Sequence, residues 1–182
     1  MTKTFKIIFE TNRLILRQQV LEDLDDLWVF HCNPENVRYY QDAPTTLEGV
    51  REQLEWDLDW YLENEGLGTW AIIHRETGKL IGLCSLMPWT VDGVEEVEMS
   101  YILADECRGQ GLGTELSRAV IRYGFEKLKL PRIISLIEPE NMLSRHVVEK
   151  AGMRVDKEGQ DETGPFVVYS ITRTSKEPLE PK

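Results

Sequence analysis

A glycine-rich junction between a predicted strand and a predicted helix constrains this sequence more than any other feature. The strand predicted over residues 95–103 leads into Arg108-Gly109-Gln110-Gly111-Leu112-Gly113, and a helix is predicted over residues 111–127. Glycines at such a junction let the backbone approach a ligand closely, and a helix N-terminus offers unpaired N–H groups that suit a phosphate. Tight turns that bind nothing use the same glycines. The junction by itself therefore leaves a phosphate site and a structural turn equally open.

The spacing of these glycines does not match two familiar phosphate motifs. A Walker A loop ends in Gly-Lys-Ser/Thr, whereas Gly113 is followed directly by Thr114. A dinucleotide fingerprint has GxGxxG in an early βαβ unit with an acidic residue downstream. Here the spacing is GxGxG, and the preceding strand belongs to a predicted antiparallel meander. Neither of those two sites is therefore expected.

Hydrophobic periodicity along the chain predicts four helices and six strands. The helices are predicted over residues 21–32, 45–64, 111–127 and 141–151. The strands are predicted over residues 13–17, 69–74, 80–87, 95–103, 132–137 and 167–172, and Asp92-Gly93 predicts a hairpin turn. This order indicates an α/β (α+β) fold with a mixed, mostly antiparallel central sheet flanked by helices. We expect one domain over residues 1–182, folded over about 10–172, with a flexible tail at 174–182.

The second predicted helix is strongly amphipathic. Thr45-Thr-Leu-Glu48 resembles a capping box at its start. Its apolar face is predicted to be Leu47, Val50, Leu54, Leu58 and Leu62. Trp56 and Trp60 share a helix face with acidic residues and offer a possible surface for a cation. Core packing is nevertheless the expectation for all five tryptophans, which are Trp28, Trp56, Trp60, Trp70 and Trp89.

The net charge of −11 is concentrated in the first 100 residues, which hold 19 acidic and 8 basic side chains, whereas residues 101–182 hold 13 of each. An acidic half repels phosphates, so nucleic acid is not expected as a partner. Such a surface favours cationic small molecules or basic peptides, although acidic surfaces also simply maintain solubility. No segment has the ~18 apolar residues of a membrane helix, and the N-terminus lacks a signal-peptide core. We therefore expect a cytoplasmic protein with no membrane partner.

The cysteines and histidines indicate neither a disulfide framework nor a metal site. They are Cys32, Cys84, Cys107, His31, His74 and His146. The cysteines are odd in number and lack a CxxC pair, so reduced and mostly buried thiols are expected. The histidines have no metal-ligand spacing, and we expect structural roles for them and no bound metal.

Several motifs along the chain resemble the GNAT superfamily of acetyltransferases. Arg108, Gly111 and Gly113 form an Arg-x-x-Gly-x-Gly pattern similar to its pyrophosphate motif. The segments around this pattern are similar to the RimJ/RimL-type branch in the correct order, over about residues 10–172. They are Thr11-Asn-Arg-Leu-Ile-Leu-Arg17, Glu98-Met-Ser-Tyr-Ile-Leu103, Asn141-Met-Leu-Ser144 and Glu149-Lys-Ala-Gly-Met153. The resemblance implies a GNAT-like fold and an acetyl-CoA-dependent N-acetyltransferase.

The resemblance also implies a role for each matching residue. Backbone groups of Tyr101, Ile102 and Leu103 are expected to pair with the pantetheine arm of acetyl-CoA, and one of these amides to polarise the thioester carbonyl. Backbone amides of the loop are expected to hold the pyrophosphate, at Arg108, Gly109, Gln110, Gly111, Leu112, Gly113 and Thr114. Asn141 is expected either to hydrogen-bond the pantetheine or to cap its own helix.

Amine acetylation needs a base, because alkyl ammonium groups have pKa values of about 10 and only the neutral amine is nucleophilic. Glu96 and Glu98 lie two residues apart and point to the same strand face. Glu98 matches the glutamate of the branch's Glu-x-x-Tyr pattern and is the predicted base. A solvated strand face is an equal interpretation for Glu96, and Glu162 is a weaker third candidate.

The general acid departs from the pattern of the superfamily. Many members carry a Tyr seven residues after the Asn, a position occupied here by Val148. The branch suggests Ser144 as the replacement. Ser144 capping its helix or contacting CoA, and a thiolate that leaves without an acid, are the alternatives.

Three functions are open at this point. The first is acetyl transfer from acetyl-CoA to a primary amine, which could be a protein N-terminus, a polyamine or an aminoglycoside-like compound. The second is a non-catalytic acyl-CoA-binding or sensor module, and the third is a nucleotide-binding regulatory domain. For the first, acetyl-CoA and a cationic amine acceptor are the expected partners of a monomer or homodimer.

Overall fold

The computed structural model describes residues 5–40, 42–161 and 164–173. The strands in these ranges are β1 (Ile7–Glu10), β2 (Leu14–Gln18), β3 (Gly68–His74), β4 (Leu80–Val91), β5 (Val94–Leu103), β6 (Arg132–Ile137), β7 (Arg154–Asp161) and β8 (Gly164–Thr172). The helices are α1 (Leu24–His31), α2 (Leu47–Glu63), α3 (Leu112–Glu126) and α4 (Met142–Lys150). A 3-10 turn over Leu21–Asp23 precedes α1.

The strands are hydrogen-bonded in the order β1-β2-β3-β4-β5-β6-β8-β7. β5 and β6 are parallel, with α3 between them in the chain, whereas β1–β2, β2–β3, β3–β4, β6–β8 and β7–β8 are antiparallel. This arrangement confirms the predicted mixed, mostly antiparallel sheet. The sequence pattern missed β1 and β7, the two edge strands. β7 is mostly polar, as edge strands often are, and the four residues of β1, Ile-Ile-Phe-Glu, show no alternation by which a strand is detected.

The hairpin between β4 and β5 is longer than predicted. The expected strand ends at residue 87, whereas β4 continues to Val91. Asp92 and Gly93 form the predicted turn, with φ values of 51° and 76°. Positive φ at both central residues is the signature of the tight turn that suits hairpin twist.

The described chain divides into two compact units. The first comprises Met1–Met87 and Ser100–Gly113, and the second comprises Pro88–Met99 and Thr114–Lys182. β4 and β5 each contribute residues to both. One domain over residues 1–182 stays a prediction, and the tail predicted at 174–182 lies outside the described residues.

The first unit has an apolar core built by α1, α2, β4 and β5. Its buried members are Leu24, Leu27, Val50, Leu54 and Leu83, against which Trp28, Leu58, Leu80 and Ile102 pack. Burying a leucine or valine side chain contributes about 1.5–3 kcal/mol, so α2 is held by its apolar face rather than by helix propensity.

Two predicted details of α2 are wrong by one position. The N-cap is Thr46, whose hydroxyl accepts the N–H of Gly49 at 3.0 Å, and not Thr45. The buried residues are Val50, Leu54, Asp57 and Tyr61, Leu58 is partly buried, and Leu47 and Leu62 are 41% and 77% exposed. The sequence pattern follows leucines at every turn, but the helix turns a carboxylate and a tyrosine inward instead.

The second unit has its own smaller core. Val91, Ile134 and Val168 are buried together, and Leu136 and Phe166 pack against them. Tyr169 of β8 donates its hydroxyl to the Glu149 carboxylate at 2.9 Å and accepts from Arg145 Nε at 3.0 Å. These two bonds attach α4 to the strand.

Asp57 is a buried carboxylate within the first unit, 5% exposed. Gln19 Nε2 donates to it at 2.9 Å, and Gln53 Nε2 donates at 3.4 Å. Gln19 Nε2 also donates to the carbonyl of Thr69 at 3.1 Å. Burial raises the pKa of Asp57 from 3.8 to about 6, although these hydrogen bonds favour the charged form.

The raised pKa makes folding stability depend on pH. A carboxyl group whose pKa is higher in the folded state binds a proton more readily there, so stability falls as the pH rises from about 4 to about 6. The ionised group then costs about 3 kcal/mol at neutral pH. Asp57→Asn should therefore be more stable than wild type at pH 7.5, by about 1–3 kcal/mol, with the gain vanishing near pH 4.

Urea unfolding between pH 4 and pH 8 measures this effect. Asp59→Asn changes an exposed carboxylate of the same helix and is the matched control. An Asp57→Asn variant that keeps the wild-type slope of stability against pH would contradict the prediction.

Candidate active site

The predicted cofactor loop lies in the first unit, between a 3-10 turn at Asp105–Cys107 and the first turn of α3. Gly109 and Gly111 have φ values of 73° and 77°, in the left-handed region that favours glycine. A Cβ added to Gly109 would meet no atom within 4 Å, and one added to Gly111 would meet only Arg13 Nη2, at 3.6 Å. The first N–H groups of a helix have no acceptor within it. Open backbone beside a helix N-terminus fits a pyrophosphate.

Two arginines, Arg108 and Arg13, form hydrogen bonds in and beside this loop. Arg108 Nη1 donates to Asp105 Oδ1 at 2.9 Å, and its Nη2 donates to the Glu35 carbonyl, so its guanidinium is tied to neighbouring chain. Arg13 Nη1 donates to the Gln110 carbonyl at 2.8 Å. Sequence reasoning assigned no role to Arg13, although it lies in the opening segment that carries the family resemblance. Arg13, which lies between β1 and β2, therefore places a second positive charge beside the loop.

The residues predicted to pair with pantetheine form the end of β5, also in the first unit. Tyr101 and Ile102 are half-buried, and Leu103 is buried. β4 approaches this segment very closely, since a Cβ added to Gly82 would lie 2.1 Å from the carbonyl oxygen of Ile102. The glycine at position 82 therefore allows the backbone of β4 to pack directly against Ile102 of β5.

The predicted base lies in the second unit. Glu98 pairs in register with Ile134 of β6, and its Oε1 accepts the N–H of Leu136 at 3.3 Å. Burial raises the pKa of Glu98 to about 7, and the bond from Leu136 partly opposes this rise. A carboxyl group that titrates near neutral pH is suited to accept a proton from a substrate and to release it afterwards.

The alternative carboxylate, Glu96, has a different environment. It accepts from Arg132 Nε at 3.0 Å, and Arg132 Nη2 binds Asp156 at 2.8 Å. Glu96 is therefore part of a chain of paired charges that also includes Arg132 and Asp156. Glu162, the third candidate, lies outside the described residues.

A groove of about 720 Å³ opens beside the β4–β5 hairpin in the second unit. Its lining residues are Pro88, Trp89, Thr90, Glu95, Glu96, Val97, Pro131 and Arg132. Trp89 is 50% exposed, so the expectation that it belongs to the core is wrong, and Trp56 is likewise 51% exposed. Trp70 is fully buried as expected. The groove combines the indole face of Trp89 and the carboxylate of Glu95 with the Glu96–Arg132 ion pair.

Asn141 caps α4, its Oδ1 accepting the N–H of Ser144 at 3.1 Å. This is one of the two roles expected for it. Ser144 is half-buried on the first turn of α4. Val148 is buried at 1% exposure, so the position where the superfamily often has a tyrosine is part of the apolar packing here. Contacts of Asn141 and Ser144 with a cofactor stay predictions.

Other sequence expectations have simpler outcomes. Cys84 and Cys107 are buried, whereas Cys32 is exposed. Among residues 5–40, 42–161 and 164–173, no group of three or more His, Cys, Asp or Glu side chains is arranged to hold a metal ion. Across the same ranges, every helix is too short or too polar to cross a membrane.

Comparison with known proteins agrees with this geometry. Residues 13–154 match the family model described as an acetyltransferase (GNAT) domain. The chain is 32% identical over 154 residues to the uncharacterised N-acetyltransferase p20 of Bacillus licheniformis, covering 81% of this chain and 85% of that protein.

Solved structures show the same fold. A GNAT-family acetyltransferase from Bacillus anthracis has a TM-score of 0.75 and 23% identity, covering 93% of this chain and 98% of that one. RimL, a ribosomal L7/L12 alpha-N-protein acetyltransferase, has a TM-score of 0.80 and 14% identity, covering 95% and 97%. A second RimL structure, in complex with coenzyme A, has a TM-score of 0.76 and 14% identity, covering 92% and 98%. The chain therefore belongs to the GNAT family of acetyltransferases and is an acetyl-CoA-dependent N-acetyltransferase.

Proposed function

We propose that this enzyme transfers the acetyl group of acetyl-CoA directly to a cationic primary amine, with Glu98 as the general base. The observation that carries the proposal is the Glu98 carboxyl, which is desolvated and has a pKa of about 7. An acceptor amine enters largely protonated, because its pKa is about 10. Glu98, directly or through a water molecule, removes that proton so that the nitrogen lone pair attacks the thioester carbon.

The donor is held by backbone rather than by side chains. We assign the pyrophosphate to the amides from Arg108 to Thr114, on the basis of the left-handed glycines and the start of α3. The pantetheine arm pairs with the backbone of Tyr101, Ile102 and Leu103 as an added strand. An amide in this segment stabilises the negative charge that develops on the thioester oxygen during attack.

CoA leaves the tetrahedral intermediate either as a thiol, protonated by a general acid, or as an unprotonated thiolate. Ser144 is the proposed acid, supported by its place on the first turn of α4 and by the absence of a tyrosine at Val148. Loss of an unprotonated thiolate is the alternative. Ser144→Ala distinguishes them: kcat falls at an unchanged KM for acetyl-CoA if the hydroxyl supplies the proton, and kcat keeps the wild-type value if the thiolate leaves unprotonated.

The acceptor is proposed to carry a positive charge. The excess of acidic residues lies in the first 100 residues, and the hairpin groove is lined by Trp89, by Glu95 and by the Glu96–Arg132 ion pair. Carboxylates and an indole face attract an ammonium group. A protein N-terminus, a polyamine and an aminoglycoside-like compound all meet this description, and RimL is an example of a structural neighbour that modifies a protein N-terminus.

An acceptor screen tests the proposed function. Thiol release from acetyl-CoA is measured with a panel of cationic, neutral and anionic amines. Cationic amines should give the highest kcat/KM. An anionic or neutral amine as the best acceptor would overturn the proposed charge preference. Tight CoA binding without acceptor-dependent release from any amine would instead favour a sensor module, and displacement of CoA by ATP would favour a nucleotide-binding domain.

The loop assignment predicts a specific loss of cofactor affinity. Gly111→Ala forces a side chain into a left-handed backbone at φ 77°, so the loop must change shape. The KM for acetyl-CoA should rise about tenfold, equivalent to one lost backbone bond to a charged group. Gly93→Ala introduces the same strain at φ 76° in the β4–β5 turn and is the control. Equal KM values for the two variants would argue against a cofactor role for the loop.

A further inference from the structure

β5 and β6 pair in register at Glu98 and Ile134. In a parallel ladder continuing from that pair, the next rung would join the N–H of Leu136 to the carbonyl of Met99. Both groups take side-chain partners instead. The N–H of Leu136 donates to Glu98 Oε1 at 3.3 Å, and Ser135 Oγ donates to the Met99 carbonyl at 2.6 Å. Two side chains thus replace one backbone rung.

The Ser135 hydroxyl is well placed for this task. Ser135 is 3% exposed and Met99 is 1% exposed, so the Met99 carbonyl has no access to bulk water. A buried carbonyl without a hydrogen-bond donor lowers the stability of the fold, so it accepts a hydrogen bond from the nearest N–H within reach. Leu136 follows Ser135 directly in β6. If the Ser135 hydroxyl were removed, the Leu136 N–H would be the neighbouring donor able to satisfy Met99.

We propose that Ser135 is a positioning residue for acetyl transfer: by satisfying the Met99 carbonyl, its hydroxyl leaves the Leu136 N–H for Glu98. The inference rests on the proposed role of Glu98 as the base. Removal of the hydroxyl lets the strands pair one rung further. The Glu98 carboxylate then loses its N–H donor.

The sign of the effect on Glu98 follows from the same bond. A hydrogen bond from an N–H to a carboxylate favours the ionised form, so its loss raises the pKa of Glu98. The other charged groups of β5 and β6 are Glu95, Glu96 and Arg132. Glu96 is paired with Arg132, which also binds Asp156 of β7. The remaining charged groups of β7 include Arg154, Lys157 and Glu158. Tyr169, the titratable residue of β8, is bonded to α4. Within the part of the chain that the structure describes, no hydrogen bond or ion pair joins any of these groups to Ser135, so its substitution changes the environment of Glu98 through Leu136.

The test follows the Glu98 carboxyl in the apo protein by ¹³C NMR titration, assigned with Glu98→Gln. Ser135→Ala should raise the midpoint by about 0.5–1 pH unit. In wild type, the ¹⁵N–¹H signal of Leu136 should titrate with the same midpoint as Glu98, and in Ser135→Ala this coupling should vanish. Ser135→Thr keeps the hydroxyl and should restore both. Ser135→Cys, a near-isosteric weak donor, replaces it if the added methyl does not fit.

Ser117→Ala is the matched control, because it removes an equally buried serine hydroxyl from α3, one that has no hydrogen-bond partner within the described residues. It should leave the Glu98 midpoint unchanged. In the kinetic arm, Ser135→Ala should lower kcat/KM about two- to fivefold at pH 7 and recover above pH 9, because the rising limb moves with the carboxyl.

The two possible failures are separate. An unchanged Glu98 midpoint and a retained Leu136 coupling in Ser135→Ala overturn this inference, whatever the protein acetylates. A raised midpoint with no acetyl transfer to any amine supports the coupling between Ser135 and Glu98 and refutes the proposed function. A fall in kcat that is uniform across pH, without a shifted midpoint, assigns Ser135 a purely structural role and also overturns the inference.

Discussion

Glu98→Gln should lower kcat with a saturating amine by about 10²–10⁴-fold, the usual contribution of a positioned general base. The amide retains the shape of the side chain but cannot accept a proton from the acceptor ammonium. Since Glu98 has a pKa of about 7, wild-type kcat/KM should rise as the pH increases through that value, after correction for ionisation of the amine. The variant should lose this limb. Steady-state kinetics between pH 5.5 and pH 9.5 measure both effects.

The control for this prediction is Glu96→Gln, which changes the carboxylate two residues earlier on the same strand face. Glu96 is paired with Arg132 at 3.0 Å, so its substitution should leave kcat within a few-fold of wild type. The KM for acetyl-CoA should be unchanged in both variants. Equal loss of kcat in the two would mean that the charge of the strand matters rather than proton transfer at Glu98.

Gly82→Ala should be the most damaging small substitution in the first unit. The added Cβ would lie 2.1 Å from the Ile102 carbonyl oxygen and 3.1 Å from Leu103 Cα, and both are backbone atoms that cannot rotate away. β5 must move at the segment proposed to pair with pantetheine. We expect a loss of about 3 kcal/mol in unfolding free energy and a Tm lower by about 6–12 °C. The surviving folded protein should have a raised KM for acetyl-CoA.

Gly78→Ala separates crowding from backbone strain. Gly78 also has a positive φ, 69°, but an added Cβ there would meet no atom within 4 Å. Its cost should be about 1 kcal/mol, that of a left-handed residue alone. Thermal unfolding and acetyl-CoA titration of the two variants make the comparison. If Gly82→Ala behaved like Gly78→Ala, β5 would not depend on the close approach of β4.

The fold was predictable because its signals are local. Each predicted helix and strand appears in the structure, and the turn at Asp92-Gly93 is where its sequence indicates. The errors fall where local pattern and tertiary burial disagree. The edge strand β7 was missed because it is mostly polar, and β1 because its four residues are too few and too uniformly apolar to show alternation. The buried face of α2 includes Asp57, because Gln19, which follows β2, supplies a hydrogen bond that no helical pattern reveals.

The site was only partly predictable. The loop could be located because left-handed glycines and a helix start leave a mark in a few consecutive letters. Arg13 could not be placed beside Gln110, since the two residues are distant in sequence and meet only after β2 has joined the sheet. No sequence pattern indicates the proposed role of Ser135, because a serine inside an apolar strand can be assigned such a role only when its hydrogen-bond acceptor is known.

By itself the sequence determined the order of helices and strands, the loop that opens α3 and, through its motifs, the family and its acetyl donor. Those properties depend on short-range patterns that a chain carries before it folds. Only the tertiary structure decided how the environments of the two candidate carboxylates differ. Glu96 and Glu98 are the same residue type on one strand face, but β6 places Arg132 beside the first and the Leu136 N–H beside the second. A pKa is set by burial and neighbours, and neighbours exist only once the strands have paired.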